Sequence, residues 1–278
     1  LKKLISQYSS NILYNPTNAS AYYNRGLVYH KQSLYKQALE DFTKAIELDK
    51  NFTFAYIARG ETYSLLKNFD LANADFTKAN ELNPKNSSVY TSFGNLSRIQ
   101  NDFEKAADYY NKAIKLNDSN ESAFYGRAMS YRSLFNYKKA IEDFNRAVDL
   151  NPNDNYAFSN RAVTYSNMGD VDKAIDDFNK ALELEPQDIF ALNGRGIVYR
   201  KRLDEESAEK DFKYAIELMP EDSYAYYNLA NLYREQGNDA KALKLYSQAI
   251  EINYLFVLPY IARAGMFITQ ENVKKAAE

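Results

Sequence analysis

The sequence has no cysteine and a single histidine in 278 residues. The first absence excludes a disulfide framework, thiolate zinc sites and a cysteine nucleophile. The second excludes a histidine-based triad or metal cluster. A charge excess is missing too: 35 Lys and Arg stand against 37 Asp and Glu, for a net charge of -2. General nucleic-acid binders normally carry a basic surplus, so that partner class is set aside. Long apolar runs are also lacking. The longest, Tyr254 to Ala262, falls far short of the roughly 20 residues that cross a bilayer, and no membrane partner is expected. The N-terminus has no signal-peptide pattern. It also lacks an initiator methionine, which leaves room for a targeting segment already removed. The expected location is cytoplasmic. Asn-x-Ser/Thr triplets at Asn18, Asn51, Asn86, Asn95 and Asn120 read as chance in an asparagine-rich chain.

What the chain does have is one unit, repeated. Segments such as AYYNRGLVYH, AFYGRAMSYR and AYYNLANLYR return at a constant offset. Anchored on a small residue, they place Gly26, Gly60, Gly94, Ala128, Ala162, Gly196, Ala230 and Ala264 at steps of 34 without an insertion. Two alanine columns keep the same step, from Ala38 to Ala276 and from Ala45 to Ala249, and Pro84, Pro152, Pro186 and Pro220 punctuate the unit ends. With the anchor numbered 8, the alanines fall at positions 20 and 27 and the prolines at 32. In period and in all three small-residue columns, the whole chain resembles the tetratricopeptide repeat family. Lys50, Asp118 and Tyr254 depart from the proline, which loosens a turn without changing the unit. The resemblance implies an all-α fold, a right-handed superhelical solenoid of stacked antiparallel helix hairpins. Its units are expected at 19–52, 53–86, 87–120, 121–154, 155–188, 189–222 and 223–256. Residues 1–18 align with the second helix of a preceding partial repeat, and 257–278 with a partial eighth.

Helical periodicity leads to the same architecture. Each unit holds two amphipathic segments joined by a short polar turn such as NMGD or EQGN. At about 100° per residue, positions 4, 7, 8 and 11 share one face of the first segment, with aromatics at 4 and 11. Positions 20, 24 and 27 share a face of the second, with Phe or Tyr at 24 from Phe42 to Tyr246. One hairpin cannot cover these faces, so the units must stack, and the aromatic columns are core.

Position 7 carries Arg25, Arg59, Arg127, Arg161, Arg195 and Arg263. Position 23 lies equally far from the turn on the antiparallel helix, and each complete unit with the arginine has Asp41, Asp75, Asp143, Asp177 or Asp211 there. The two units without the arginine also lack the aspartate, pairing Phe93 with Tyr109 and Leu229 with Leu245. Joint switching is what a half-buried ion pair predicts, because removing one partner alone strands a charge.

Positions 2, 5, 9, 12 and 13 form the face opposite the hairpin contact, which the resemblance implies is a concave, ligand-lining groove. Position 12 holds Arg98, Arg132, Arg200 and Arg234, with His30 in the same column; Lys31, Lys201, Glu235 and Glu61 add charges nearby. Position 5 supplies Tyr23, Tyr125 and Tyr227, and position 2 supplies Phe54, Tyr156, Phe190 and Tyr224. Asn24, Asn95, Asn160, Asn193, Asn228 and Asn231 sit at or near the face. Asparagine offers donor and acceptor to an extended backbone, arginine forks grip carboxylates, and tyrosine supplies rigid contact area. The expected ligand is an extended peptide, acidic or C-terminal.

Two sharper resemblances fail. The clamp of chaperone-tail-binding co-chaperones needs lysine at position 5 and a basic residue at position 2, and neither occurs here. The asparagine ladder of O-linked N-acetylglucosamine transferases is interrupted by Ala58, Ser92, Gly126, Gly194 and Ala262. Catalysis finds no footing either. His30 stands alone as a polar groove residue, and the GRG at Gly194–Gly196 lacks the strand and third glycine of a dinucleotide loop. Acidic pairs such as Glu142–Asp143 put one member in an ion pair and the other in solvent. No enzyme activity, cofactor or metal is expected. The leading reading is a protein–protein interaction scaffold. Its alternative is the substrate-recognition arm of a larger enzyme such as a glycosyltransferase. An RNA-binding helical repeat would need a basic groove with base-reading side chains at fixed positions. Both ends read as cut within a longer array or as leading into disorder. With no polar caps, end-to-end self-association is expected, with YLFVLPYI as a contact patch.

Overall fold

Apolar residues recurring every three to four positions, separated by short turns, make a helix of each half-unit. The structure, a computed structural model, describes residues 1–269, and these contain sixteen helices and no strand. They fall into two compact units, residues 1–150 and the residues from 151 on. In the first are α1 (Lys2–Tyr14), α2 (Ala19–Lys31), α3 (Tyr35–Leu48), α4 (Thr53–Leu65), α5 (Phe69–Leu82), α6 (Ser87–Ile99), α7 (Phe103–Leu116), α8 (Glu121–Ser133) and α9 (Tyr137–Leu150). In the second are α10 (Asn155–Met168), α11 (Val171–Leu184), α12 (Ile189–Lys201), α13 (Glu205–Leu218), α14 (Ser223–Glu235), α15 (Asp239–Ile252) and α16 (Val257–Thr269). Within each unit an even-numbered helix and its successor form a hairpin, and the successor also packs on the next even-numbered helix. The array is therefore all-α and repetitive, as the period implies. Ala276, the last of the alanine column that begins at Ala38, lies outside the described residues.

Core and small-residue columns interlock. Phe42, Phe76, Tyr110, Phe144, Phe178, Phe212 and Tyr246 are buried, as are the alanines at 20 and 27 around them. Each such ring is worth roughly 1.5–3 kcal/mol of burial. The first helix crosses so near that a Cβ at Gly60 would stand 2.6 Å from the Phe76 ring; position 8 must be small because a ring fills the space beside it.

Turns and caps account for other recurrent polar residues. The backbone turns between the two helices of a hairpin at position 15 with positive φ, at Ser33, Lys67, Asn101, Phe135, Gly169, Leu203 and Gly237. Only two of these are glycine, and two are large apolar residues, so the turn is less polar than the sequence reading expects. Asn18, Asn86, Asn120, Asp154, Asp188 and Asp222 accept backbone N–H bonds at the starts of first helices, meeting donors that a helix leaves unpaired. Three asparagines of the Asn-x-Ser/Thr triplets are thus helix caps.

The coupled columns pair directly. In Arg25–Asp41, Arg59–Asp75, Arg127–Asp143, Arg161–Asp177 and Arg195–Asp211, Nε donates to Oδ2 and Nη2 to Oδ1. The remaining Nη1 donates backwards, to position 25 of the preceding unit's second helix: Arg25 to Ser9, Arg59 to Thr43, Arg127 to Asn111 and Arg195 to Asn179. The aromatics at 4 and 11 flank the guanidinium, with Arg25 within 5.8 Å of the Tyr22 and Tyr29 ring centres, a cation–π distance. Where the arginine is absent, Phe93 stacks on Tyr109 at 5.0 Å.

Candidate functional site

With the hairpin contacts taken up, the first helices of each unit keep one side clear of the core. In the first unit α2, α4, α6 and α8 lie in sequence along that face, each touching the next; in the second, α10, α12 and α14 do. The position-2 aromatics stand out from it, with Phe54 54%, Tyr156 61%, Phe190 48% and Tyr224 57% exposed. The position-5 tyrosines lie lower. Tyr23 packs against Phe42 and Phe52, Tyr125 against Phe144, and Tyr227 against Tyr246 and Phe256. Phe52 and Phe256 stand where other units have a polar helix cap, so an apolar cap position and a position-5 tyrosine occur together in two units.

The asparagines need amending. Expected to offer free amides to a ligand, most are engaged inside the fold. Asn95 Oδ1 accepts from the Tyr110 hydroxyl and Asn231 Oδ1 from the Tyr246 hydroxyl, both at 2.7 Å. These are the two units with tyrosine rather than phenylalanine at 24, and the two with asparagine at 9; the asparagine is the hydroxyl's partner. Burial pushes each phenol up to about 12. Asn160 Nδ2 donates to the Tyr156 carbonyl one turn back. Asn193 Nδ2 donates to Asp222 Oδ2 at 3.0 Å, and its Oδ1 accepts from Asn228 at 3.4 Å. Asn24 is half-buried.

The position-12 arginines come together in neighbouring pairs. In the first unit the guanidinium of Arg132 is pushed down by burial and by the like charge of Arg98, against the pull of Tyr125. In the second, Arg234 and Arg200 both act on the Tyr246 phenol, opposing the effect of its burial. Arg98 Nε and Arg200 Nη1 are buried with no hydrogen-bond partner among the described residues. Arg200 Nε meets Glu235 at 3.7 Å, and Lys201 donates to Ser166. Buried donors without acceptors are costly.

Three features of this face are not evident from residue type alone. Glu61 is half-buried and accepts from Ser92 at 2.7 Å; burial raises its carboxyl pKa against that bond. His30 Nδ1 lies 2.9 Å from Thr62 Oγ1, whose own proton goes to the Ala58 carbonyl, so Nδ1 carries the imidazole proton. Burial lowers the His30 pKa, which suits a neutral ring. Between α12 and α14 lies an open pocket of about 550 Å³, walled by Phe190, Tyr224, Ile189, Ile197 and Met219. Gly194 lines the pocket, and a side chain there would strike the Phe178 ring.

No helix among the described residues is long and apolar enough to cross a membrane. No group of three metal-ligating side chains occurs among them.

Residues 19–52, 122–154, 156–188 and 223–253 match one description of the tetratricopeptide repeat, and residues 55–86 and 87–120 match a second. Serine/threonine-protein phosphatase 5 of Homo sapiens and that of Rattus norvegicus are each 50% identical over 48 residues, 17% of this chain and 10% of theirs. The chain thus spans about a tenth of these curated relatives. Among solved structures, YrrB, described as a TPR protein with an unusual peptide-binding site, is 28% identical with a TM-score of 0.54, over 68% of this chain and 97% of that one. Cut9–Hcn1 of the APC/C is 17% identical with a TM-score of 0.70, over 95% of this chain and 52% of that one. A tetratricopeptide repeat protein from Parabacteroides merdae is 24% identical with a TM-score of 0.69, over 81% of this chain and 89% of that one.

Proposed function

Because the chain belongs to the tetratricopeptide repeat family, we propose that it is a non-catalytic protein-interaction scaffold whose first-helix face holds an extended peptide, acidic or ending in a carboxylate. The observation that carries this reading is the pairing of position-12 arginines with buried nitrogens lacking an acceptor, Arg98 Nε and Arg200 Nη1. Carboxylates bind guanidinium forks through charge-assisted hydrogen bonds, and the exposed Phe190 and Tyr224 lie on the helices of Arg200 and Arg234 to take up apolar side chains. YrrB, alike in fold and at 28% identity, is described as having a peptide-binding site. The reading places the protein in the cytoplasm.

The test is the affinity of acidic peptides for the whole chain, followed by fluorescence anisotropy. Binding is expected to weaken as salt rises, since exposed charges are screened beyond roughly 8 Å at physiological ionic strength. Arg98→Glu combined with Arg200→Glu is expected to abolish it. Affinity indifferent to both salt and the double substitution would move the site off this face.

The second reading is a substrate-selecting arm of a larger enzyme. What favours it is that the 48-residue match is to an enzyme of which it covers 10%. The two readings share the same face and differ in what the chain is joined to.

A further inference from the structure

The pocket in the second unit and the arginines beside it lie on the same two helices. Its walls are apolar, and its polar members, Asn193, Asp222 and Asn228, are bonded to one another. A polar guest would find those groups already engaged, whereas a bulky apolar side chain would cover wall that now faces water. A volume of about 550 Å³ lies within the ~300–1,000 Å³ of ligand-sized pockets.

Arg200 follows Asn193 on α12 by seven residues, and Arg234 follows Asn228 on α14 by six. At 1.5 Å per residue, both guanidiniums branch about 10 Å along the helices from the pocket. An extended chain covers that distance in about three residues. The Arg200 Nη1 donor is buried without an acceptor, and its Nε has only the long contact to the half-exposed Glu235. The charge of this pair calls for an anion, and the pocket for an apolar group.

We propose that the second unit reads a two-point epitope: a bulky apolar side chain seated in the pocket at the level of Asn193 and Asn228, and a carboxylate about three residues away held by Arg200 and Arg234. This rests on the peptide-binding reading of the face and adds to it a composition and a spacing. The carboxylate can come from an Asp or Glu side chain or from a peptide C-terminus; the spacing is the same for either.

Fluorescein-labelled, amidated Gly/Ser peptides carrying one leucine and one glutamate test it by anisotropy on the whole chain. One has the pair three residues apart, one has it adjacent, and a third replaces the glutamate with a free C-terminal carboxylate three residues from the leucine. The three-residue peptide is expected to bind about tenfold tighter than the adjacent one. Tyr224→Ala and Arg200→Gln are each expected to weaken it by about tenfold. The loss from Arg200→Gln should vanish against a peptide with glutamine in place of glutamate. Comparison of the first and third peptides assigns the carboxylate to side chain or terminus. Equal affinity for both spacings overturns the proposal. So does binding that responds to Arg98→Glu in the first unit but to neither substitution in the second, an outcome that leaves the broader peptide reading standing. Failure of every peptide to bind ends both.

Discussion

At Arg127 one guanidinium serves two helices besides its own: Asp143 takes Nε and Nη2, and Asn111 takes Nη1. The pair is not free of cost. Burial pushes the Asp143 carboxyl up, against the opposing pull of Arg127, while in the first repeat the bond to Asp41 holds the Arg25 guanidinium up. Desolvation and pairing are therefore close to balance. That explains why Phe93–Tyr109 and Leu229–Leu245 replace the pair whole and no complete repeat keeps half of it. Arg127→Leu is expected to lose about 3–5 kcal/mol in urea unfolding, because Asp143 is left buried and unpaired. Adding Asp143→Leu should recover much of that. A double variant no more stable than the single would contradict the pairing. Glu61 gives a second residue-scale prediction. Its folded pKa is raised by burial, so the folded state holds the proton more tightly than the unfolded one. Stability from this group is full below the unfolded carboxylate pKa and is lost as pH rises through the raised folded value. Glu61→Gln, which can still accept from Ser92, should unfold at a higher temperature than the parent at neutral pH, with the gap closing towards acid pH. A gap that stays constant with pH would exclude the titration of Glu61 as its cause.

Among the elements, the turns at position 15 carry the clearest strain. Leu203 has φ 65 and Gly169 has φ 85 at equivalent places, and Leu203 is 83% exposed. A left-handed conformation costs a side-chain-bearing residue roughly 1–2 kcal/mol, while glycine gives back about 0.4–1 kcal/mol through the freedom of the unfolded chain. Leu203→Gly should therefore raise stability by about 0.5–1 kcal/mol, read as a higher urea midpoint at unchanged slope. An unchanged or lower midpoint would show that Leu203 has contacts outweighing its backbone strain. In most hairpins the second helix is the better amphipath, and in all seven it carries the buried ring at 24 between two alanine columns. The first helices α4, α6 and α12 are flanked on both sides by other first helices, and their remaining side is the face proposed to hold the peptide.

For the whole molecule, stability builds from each repeat and its contacts with neighbours. The first helix, α1, has no buried residue and packs on α2 alone among the contacts of its unit. Its amides should exchange with deuterium faster than those of α3 to α7, whose rings and alanines are buried. Equal protection, measured by mass spectrometry, would mean that the unit opens only as a whole. The exposed apolar residues Leu255, Val257 and Ile261 fall where the sequence reading expects a contact patch.

Much of this was legible in the residues themselves. The step of 34, the hairpin pairing and the alanine columns follow from helical periodicity, which is local. The Arg–Asp coupling follows from two positions equidistant from one short turn. Only packing between repeats decided the rest. That Nη1 of Arg25, Arg59, Arg127 and Arg195 reaches the preceding repeat, that Asn193 answers to Asp222, and that Tyr110 claims Asn95 depend on interhelical distances and rotamers of a few ångströms. Residue type alone cannot separate an asparagine that faces a ligand from one that faces a buried hydroxyl, because the same amide satisfies both.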